Sequence, residues 1–234
     1  VVGSNVRIES FFGLFGIYEI PYLLSVFLTC FIIVLIINSY NLIDGIDGLA
    51  SGVGILISLS FVFIFFRLYD YSMGFLAIAI LGSLLAFLYF NLSSQYKIFM
   101  GDTGSMVVGF LIAFMSIKFL SLSSMPWVMM KNSPVVAIAI LIVPLIDTLS
   151  VIIIRLMKGK SPFTADQNHI HHRILRLGFN HVQTTVIICA ANTLLIALAY
   201  NIRHMDIGYM LLLLIFAALF LSYMPLVIGE IISK

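Results

Sequence analysis

Seven apolar stretches of near bilayer-spanning length constrain this chain more than any other feature: Pro21–Ile37, Val53–Tyr69, Met73–Phe90, Met106–Leu122, Pro134–Leu156, Thr184–Ile202 and Ile207–Ile228. A helix that crosses a membrane needs roughly 20 mostly apolar residues. In lipid only helices and closed barrels satisfy their own backbone hydrogen bonds. Barrel strands would alternate in hydrophobicity over segments of about 10 residues, whereas these runs are continuous. The sequence therefore predicts an all-α, polytopic integral membrane protein of about seven transmembrane helices. No internal repeat, low-complexity tract or linker divides it, so residues 1–234 read as one domain. Composition agrees: 62% of residues are hydrophobic and 9% charged, against about 45–50% and about 25% in soluble domains. A net charge of +2 gives no reason to expect nucleic acid as a partner. Cys30 and Cys189 sit in apolar runs and are expected to be small core residues, not a disulfide or metal site.

Basic residues set the expected orientation. The loop after the fifth run carries Arg155, Lys158, Lys160, Arg173 and Arg176 and is placed in the cytoplasm. Parity then puts the loops after the first and third runs inside as well, with the Val1 end outside and Lys234 inside. These three inner loops hold the unusual polar clusters.

The first cluster runs from Asn38 to Leu49 and includes Asn41, Asp44, Gly45, Asp47 and Gly48. Asn38 and Asn41 are three apart, as are Asp44 and Asp47, so on a helix each pair would share a face. A helix cap accounts for one such residue, not for four. The second cluster is Lys97 to Ser105, with Asp102 flanked by Gly101 and Gly104 and hydroxyls at Thr103 and Ser105. Such a carboxylate can serve Mg²⁺, which takes oxygen ligands and keeps water and phosphate; a helix N-cap is the plainer alternative. The third cluster is Pro162 to Arg173, with Asp166, Gln167, Asn168, His169, His171, His172 and Arg173. Its histidine spacing lacks the i, i+4 pattern of a helical zinc site, whereas imidazoles and a guanidinium both suit phosphate. One acidic residue, Asp147, lies inside a span, about two turns from its inner end, and is a functional candidate on cost alone.

Carboxylates by themselves would repel a phosphorylated substrate, so a metal is implied that neutralises a diphosphate. The residues thus point to a membrane enzyme acting on anionic substrates at the cytoplasmic face. A transporter is the alternative, but it would spread polar groups toward the membrane midplane. A catalytically inactive fragment or scaffold is a third reading.

Asn38 through Leu49, Phe99 through Ser105, Pro144 through Asp147 and Pro162 through Arg173, in that order over the chain, resemble the polyprenyl-phosphate N-acetylhexosamine-1-phosphate transferase family, also called glycosyltransferase family 4. The pattern His169-Ile-His171-His172-Arg173 is similar to the GlcNAc-1-phosphate branch, although that branch commonly carries Arg where this chain has Gln167. The resemblance implies transfer of an N-acetylhexosamine-1-phosphate, GlcNAc-1-phosphate first, from a UDP-sugar to undecaprenyl phosphate in the bacterial inner membrane. UMP is released and a lipid-linked cell-envelope glycan such as lipopolysaccharide or teichoic acid is begun. Mg²⁺, with Mn²⁺ as substitute, is the implied cofactor, and a homodimer stays open. Asp44, Asp47, Asp102, His169, His171 and His172 are the expected catalytic residues, with Asp102 the metal ligand. Asn38, Asn41, Lys97, Asp147 and Arg173 are the expected substrate-binding residues. Full-length relatives carry ten or eleven helices and an upstream Asp-Asp motif, expected here before Val1.

Overall fold

The computed structural model describes residues 6–125, 128, 130–157, 159, 161 and 169–232. Their regular structure is helical throughout, with no strand among them. A short 3-10 turn at Leu14–Gly16 is followed by α1 (Tyr22–Leu42), α2 (Leu49–Arg67), α3 (Tyr71–Asn91), α4 (Gly101–Ser123), α5 (Ser133–Ile140), α6 (Ile142–Met157), α7 (Ile170–Leu175), α8 (His181–Asn201) and α9 (Ile207–Ile232). Helices α1, α2, α3, α4, α8 and α9 are each long and apolar enough to cross a bilayer. The protein is a multi-pass membrane protein, as the apolar runs predict. Several helices outrun their apolar stretches: α1 continues through Asn38 and Asn41, and α4 starts at Gly101, so polar cluster residues are carried on the ends of spans.

The fifth run departs from expectation. It is not one straight span but two helices, α5 and α6, bent by 78° at Leu141. Pro144 explains the break. It has no N–H to give the Ile140 carbonyl, and its ring would clash with that carbonyl in a continuous helix. In the first turn of a new helix, where N–H groups lack intrahelical partners anyway, proline is tolerated. The Leu141 N–H turns back to Ala137 and Ile138 carbonyls at 3.2 and 3.1 Å, closing α5 before α6 begins.

α1 packs along α4 and α2 along α3, while α8 lies against α2 and α5, and α9 against α6 and α8. Phe61, Phe65 and Phe119 form the aromatic centre, with ring centroids 5.7 and 6.4 Å apart. The fully buried Tyr40 hydroxyl donates to the Ala50 carbonyl at 2.7 Å and ties α1 to α2. Outward-facing Phe27, Phe31, Phe63 and Phe216 are exposed, an apolar surface suited to lipid and not to water. The cysteines divide: Cys189 packs toward Gly52 of α2, but Cys30, expected in the core, is exposed on α1. At the end of the bundle away from the polar clusters, Asn132 donates to the carbonyls of Arg203 and Met205, joining two loops there.

Candidate active site

The C-terminal end of α1 meets the start of α4. Asn41 Nδ2 donates to Ser105 Oγ at 2.7 Å and lies 3.4 Å from Asp102 Oδ1. Ser105 in turn donates to the Gly101 carbonyl at 3.1 Å, which fixes the hydroxyl that Asn41 reads. Asp44, half-buried in the turn after α1, has its carboxyl pushed up to about 6, first by burial and second by the negative charge of Asp102. Two carboxylates are thus close enough to repel each other, while Asp102 itself is exposed. Asn38 is not part of this arrangement: it is exposed, and its amide donates to the Val34 carbonyl of its own helix at 2.7 Å.

Asp47 is gripped by three side chains from two other segments, the loop before α4 and the start of α8. Lys97 Nζ donates to Oδ2 at 2.7 Å, His181 Nδ1 donates to the same oxygen at 3.0 Å, and the Thr185 hydroxyl donates to the Asp47 carbonyl at 3.0 Å. Burial disfavours the charged Asp47, but the hydrogen bonds from Lys97 and His181 outweigh it and hold the carboxyl below its ordinary range. The next residue, Gly48, has φ +81°, and its N–H donates to Asn91 Oδ1 at 2.7 Å. Asn91 Nδ2 donates to the Ile98 carbonyl at 2.8 Å, so one buried amide clamps the acidic turn to the loop that carries Lys97.

The histidines lie on and just before α7. Asp147 is fully buried, and both its oxygens are occupied: Oδ2 accepts from His169 Nδ1 at 2.9 Å and Oδ1 accepts from the Ile170 N–H at 2.7 Å. A carboxylate inside the membrane thus caps the helix that bears the histidines, and it fixes the proton of His169 on Nδ1. Asp147, expected to bind substrate, is enclosed, with its two oxygens turned to His169 and the Ile170 N–H. The His169 and His171 rings stack at 5.6 Å, 9° from parallel, and His172 lies 4.3 Å from His171. His171 is pushed down to about 4, chiefly by burial and further by the charges of its histidine neighbours, against the pull of Asp147. It is therefore an uncharged hydrogen-bonding group at pH 7. His172 is lowered too, by burial first and then by His169 and Arg176. Arg173 is 2% exposed, donates from Nη1 to the Ser222 carbonyl at 3.2 Å, and lies over the Tyr223 ring, so it ties α7 to α9.

The structure therefore brings Asn41, Asp44, Asp47, Lys97, Asp102, His169, His171 and His172 to one end of the bundle. Pro162 through Asn168, with Asp166 and Gln167, and Lys158 and Lys160 lie outside the described residues. Asn91, His181 and Thr185 are not singled out by the sequence. Asn91 could have been found as the single amide closing an apolar run, and His181 with Thr185 as two polar groups one turn apart. Among the described residues no three His, Cys, Asp or Glu side chains form a metal cage. Mg²⁺ needs only one or two carboxylates with water and phosphate, and the Asp44–Asp102 pair fits that demand. Burial is the larger cause of the raised Asp44, and the Asp102 charge that adds to it is what a cation would offset.

The profile described as "Glycosyl transferase family 4" matches residues 1–120. The chain belongs to this family. Curated family 4 relatives include the undecaprenyl-phosphate alpha-N-acetylglucosaminyl 1-phosphate transferase of Escherichia coli strain K12, 32% identical over 229 residues, 94% of this chain and 60% of that protein. The enzyme of the same name from Salmonella typhi is 33% identical over 232 residues, again 94% of this chain and 60% of that protein. The decaprenyl-phosphate N-acetylglucosaminephosphotransferase of Mycobacterium leprae is 33% identical over 178 residues, 70% of this chain and 44% of that protein. The chain spans about 60% of the length of the first two relatives. These family 4 relatives are transferases acting on a prenyl phosphate.

Proposed function

We propose that the protein transfers GlcNAc-1-phosphate from UDP-GlcNAc to undecaprenyl phosphate at the cytoplasmic face of the bacterial inner membrane, releasing UMP and starting a lipid-linked envelope glycan. One observation carries this reading. Three loops far apart in sequence are tied at one end of a membrane bundle by Asn41–Ser105, Asp47–Lys97, Asp47–His181 and the approach of His171 to Gly45. That arrangement places acidic and imidazole groups side by side at a membrane surface, as a diphosphate donor and a membrane-borne phosphate require.

A phosphate oxygen of the acceptor attacks the phosphorus that bears the sugar. A new P–O bond forms as the bond to UMP breaks, and UMP leaves with the electron pair. A phosphate monoester has its second pKa near 6, so the acceptor is largely deprotonated at pH 7 and needs little help from a base. Positioning and charge stabilisation dominate such a reaction. Asp102, with Asp44 beside it, would hold Mg²⁺, or Mn²⁺, which supplies positive charge against the donor diphosphate. Asp47 would orient the donor, with Asn41 fixing the ends of α1 and α4 around it. Neutral His171 and its neighbour His172 would donate hydrogen bonds to phosphate oxygens, while His169, its Nδ1 proton given to Asp147, would present Nε2 as an acceptor.

The test is a transfer assay with the protein expressed from its complete gene, supplied with undecaprenyl phosphate, Mg²⁺ and either UDP-GlcNAc or UDP-MurNAc-pentapeptide. UDP-GlcNAc should be preferred and stoichiometric UMP released. Asp102→Asn should abolish turnover and blunt the Mg²⁺ dependence. Preference for the muramoyl donor would refute the choice of sugar, and an Asp102→Asn enzyme with normal turnover and Mg²⁺ requirement would move the metal elsewhere.

A further inference from the structure

We propose that His181 and Thr185, one turn apart at the start of α8, are positioning residues for the nucleotide-sugar donor, acting through Asp47. The inference rests on the reading of Asp47 as the residue that orients the donor. The two side chains are four residues apart and so share one face of α8. They hold both the side chain and the main chain of one residue: His181 Nδ1 donates to Asp47 Oδ2 and the Thr185 hydroxyl to the Asp47 carbonyl, each at 3.0 Å. A single contact would leave the Asp47 side chain free to rotate; the pair fixes the residue at two points.

The platform is itself rigid. Asn180 caps α8 through a reciprocal pair: the Gln183 N–H donates to Asn180 Oδ1 at 2.9 Å, and the Asn180 N–H donates to Gln183 Oε1 at 3.0 Å. α8 approaches α2 closely at Gly52: a Cβ there would stand 2.9 Å from Cys189 Sγ and 3.4 Å from Thr185 Cγ2. Gly52 of α2 thus receives Cys189 and Thr185, one turn apart on α8, which helps set the register that brings His181 and Thr185 to Asp47. Lys97 on the same Oδ2 and Asn91 on the Gly48 N–H complete the hold. None of these bonds uses Asp47 Oδ1, the oxygen left to meet a ligand.

α8 follows directly on the histidine segment, so its first turn fastens that segment to the acidic turn. A group that aims a donor-binding carboxylate acts on donor affinity before it acts on the chemical step, and this separates it from a merely structural residue. The experiment measures KM for UDP-GlcNAc, kcat, and the Kd of UDP by calorimetry for His181→Ala, His181→Asn and Thr185→Val. Losing a hydrogen bond to a charged group costs about tenfold. His181→Ala should therefore raise KM and Kd about tenfold with kcat within about threefold. Asparagine places an N–H near the position of Nδ1, so His181→Asn should stay within about twofold of wild type. Thr185→Val should move KM in the same direction. Unchanged KM and Kd in His181→Ala and Thr185→Val, a fall in kcat alone, or a His181→Asn as impaired as the alanine variant overturns the proposal while the function stands. A wild type that neither binds UDP nor uses UDP-GlcNAc overturns the functional reading, and this inference with it.

Discussion

His171 Nε2 occupies the space that a side chain on Gly45 would need: a Cβ there would lie 2.5 Å from that nitrogen, closer than real contacts allow. The glycine of the acidic turn and the central histidine of α7 are thus fitted to each other, and the acidic turn and the histidine helix meet at this point. Gly45→Ala should push His171 out of line. Because a displacement of about 1 Å costs on the order of 10²-fold in rate, GlcNAc-1-phosphate transfer should fall by about that factor while the thermal midpoint in detergent changes little. Full activity in Gly45→Ala would show that His171 does not need this position.

Asp147 offers a test in which cap and tautomer separate. Asp147→Asn keeps an oxygen to accept from the Ile170 N–H, but its amide N–H₂ would face His169 Nδ1 and favour the opposite tautomer. Asp147→Ala removes the cap and leaves a void. The asparagine variant should stay folded yet lose roughly 10²–10⁴ in rate, as enzymes do when a catalytic imidazole is held in the wrong tautomer. The alanine variant should in addition lose thermal stability by a few kcal/mol, because buried donors lose their acceptor. Equal rates in Asp147→Asn and wild type would remove His169 from the reaction.

Two shifted groups act oppositely on stability over one pH window. Asp44 holds its proton more tightly in the folded protein, about 6 against an ordinary 3.8, so its contribution is present at low pH and lost as pH rises through 6. His171 holds its proton less tightly, about 4 against 6.5, so its contribution is present above 6.5 and lost as pH falls toward 4. Relative to wild type, Asp44→Asn should therefore lose stability more steeply on acidification between those limits. His171→Gln should instead lose it more steeply as pH rises from about 4 to 6. Thermal midpoints measured without metal from pH 4 to 7 test both signs; parallel curves for all three proteins would contradict these environments.

All three polar loops share one side of the bundle, which fixes a labelling pattern. In a cysteine-free background, Ser94→Cys and Asn180→Cys should react only with reagent admitted to the cytoplasm. Tyr69→Cys and His204→Cys, at the opposite end, should react from outside intact cells. Labelling of Ser94→Cys from outside would separate the loops that the hydrogen bonds join.

The sequence alone determined the class of structure. Apolar runs of bilayer length leave the backbone no alternative to helices, and four or more acids and amides packed beside glycines at the ends of those runs have no explanation in packing. Periodicity and composition could not say that the run containing Pro144 is two helices at 78°. A proline near the middle of a run can kink a helix or start one, and the choice depends on what packs around it. Nor could they give Asp147 its place, since its enclosure comes from α7 folding back on α6, a contact between residues 22 positions apart. The same holds for Asn91, His181 and Thr185. Each is an ordinary polar residue at a helix end, and only the packing of α8 and α3 against the Asp44–Gly48 turn makes it part of a site. Chemistry-bearing residues announce themselves by type and clustering, which are local; those that aim them are chosen by distance in the folded chain, which a linear pattern does not contain.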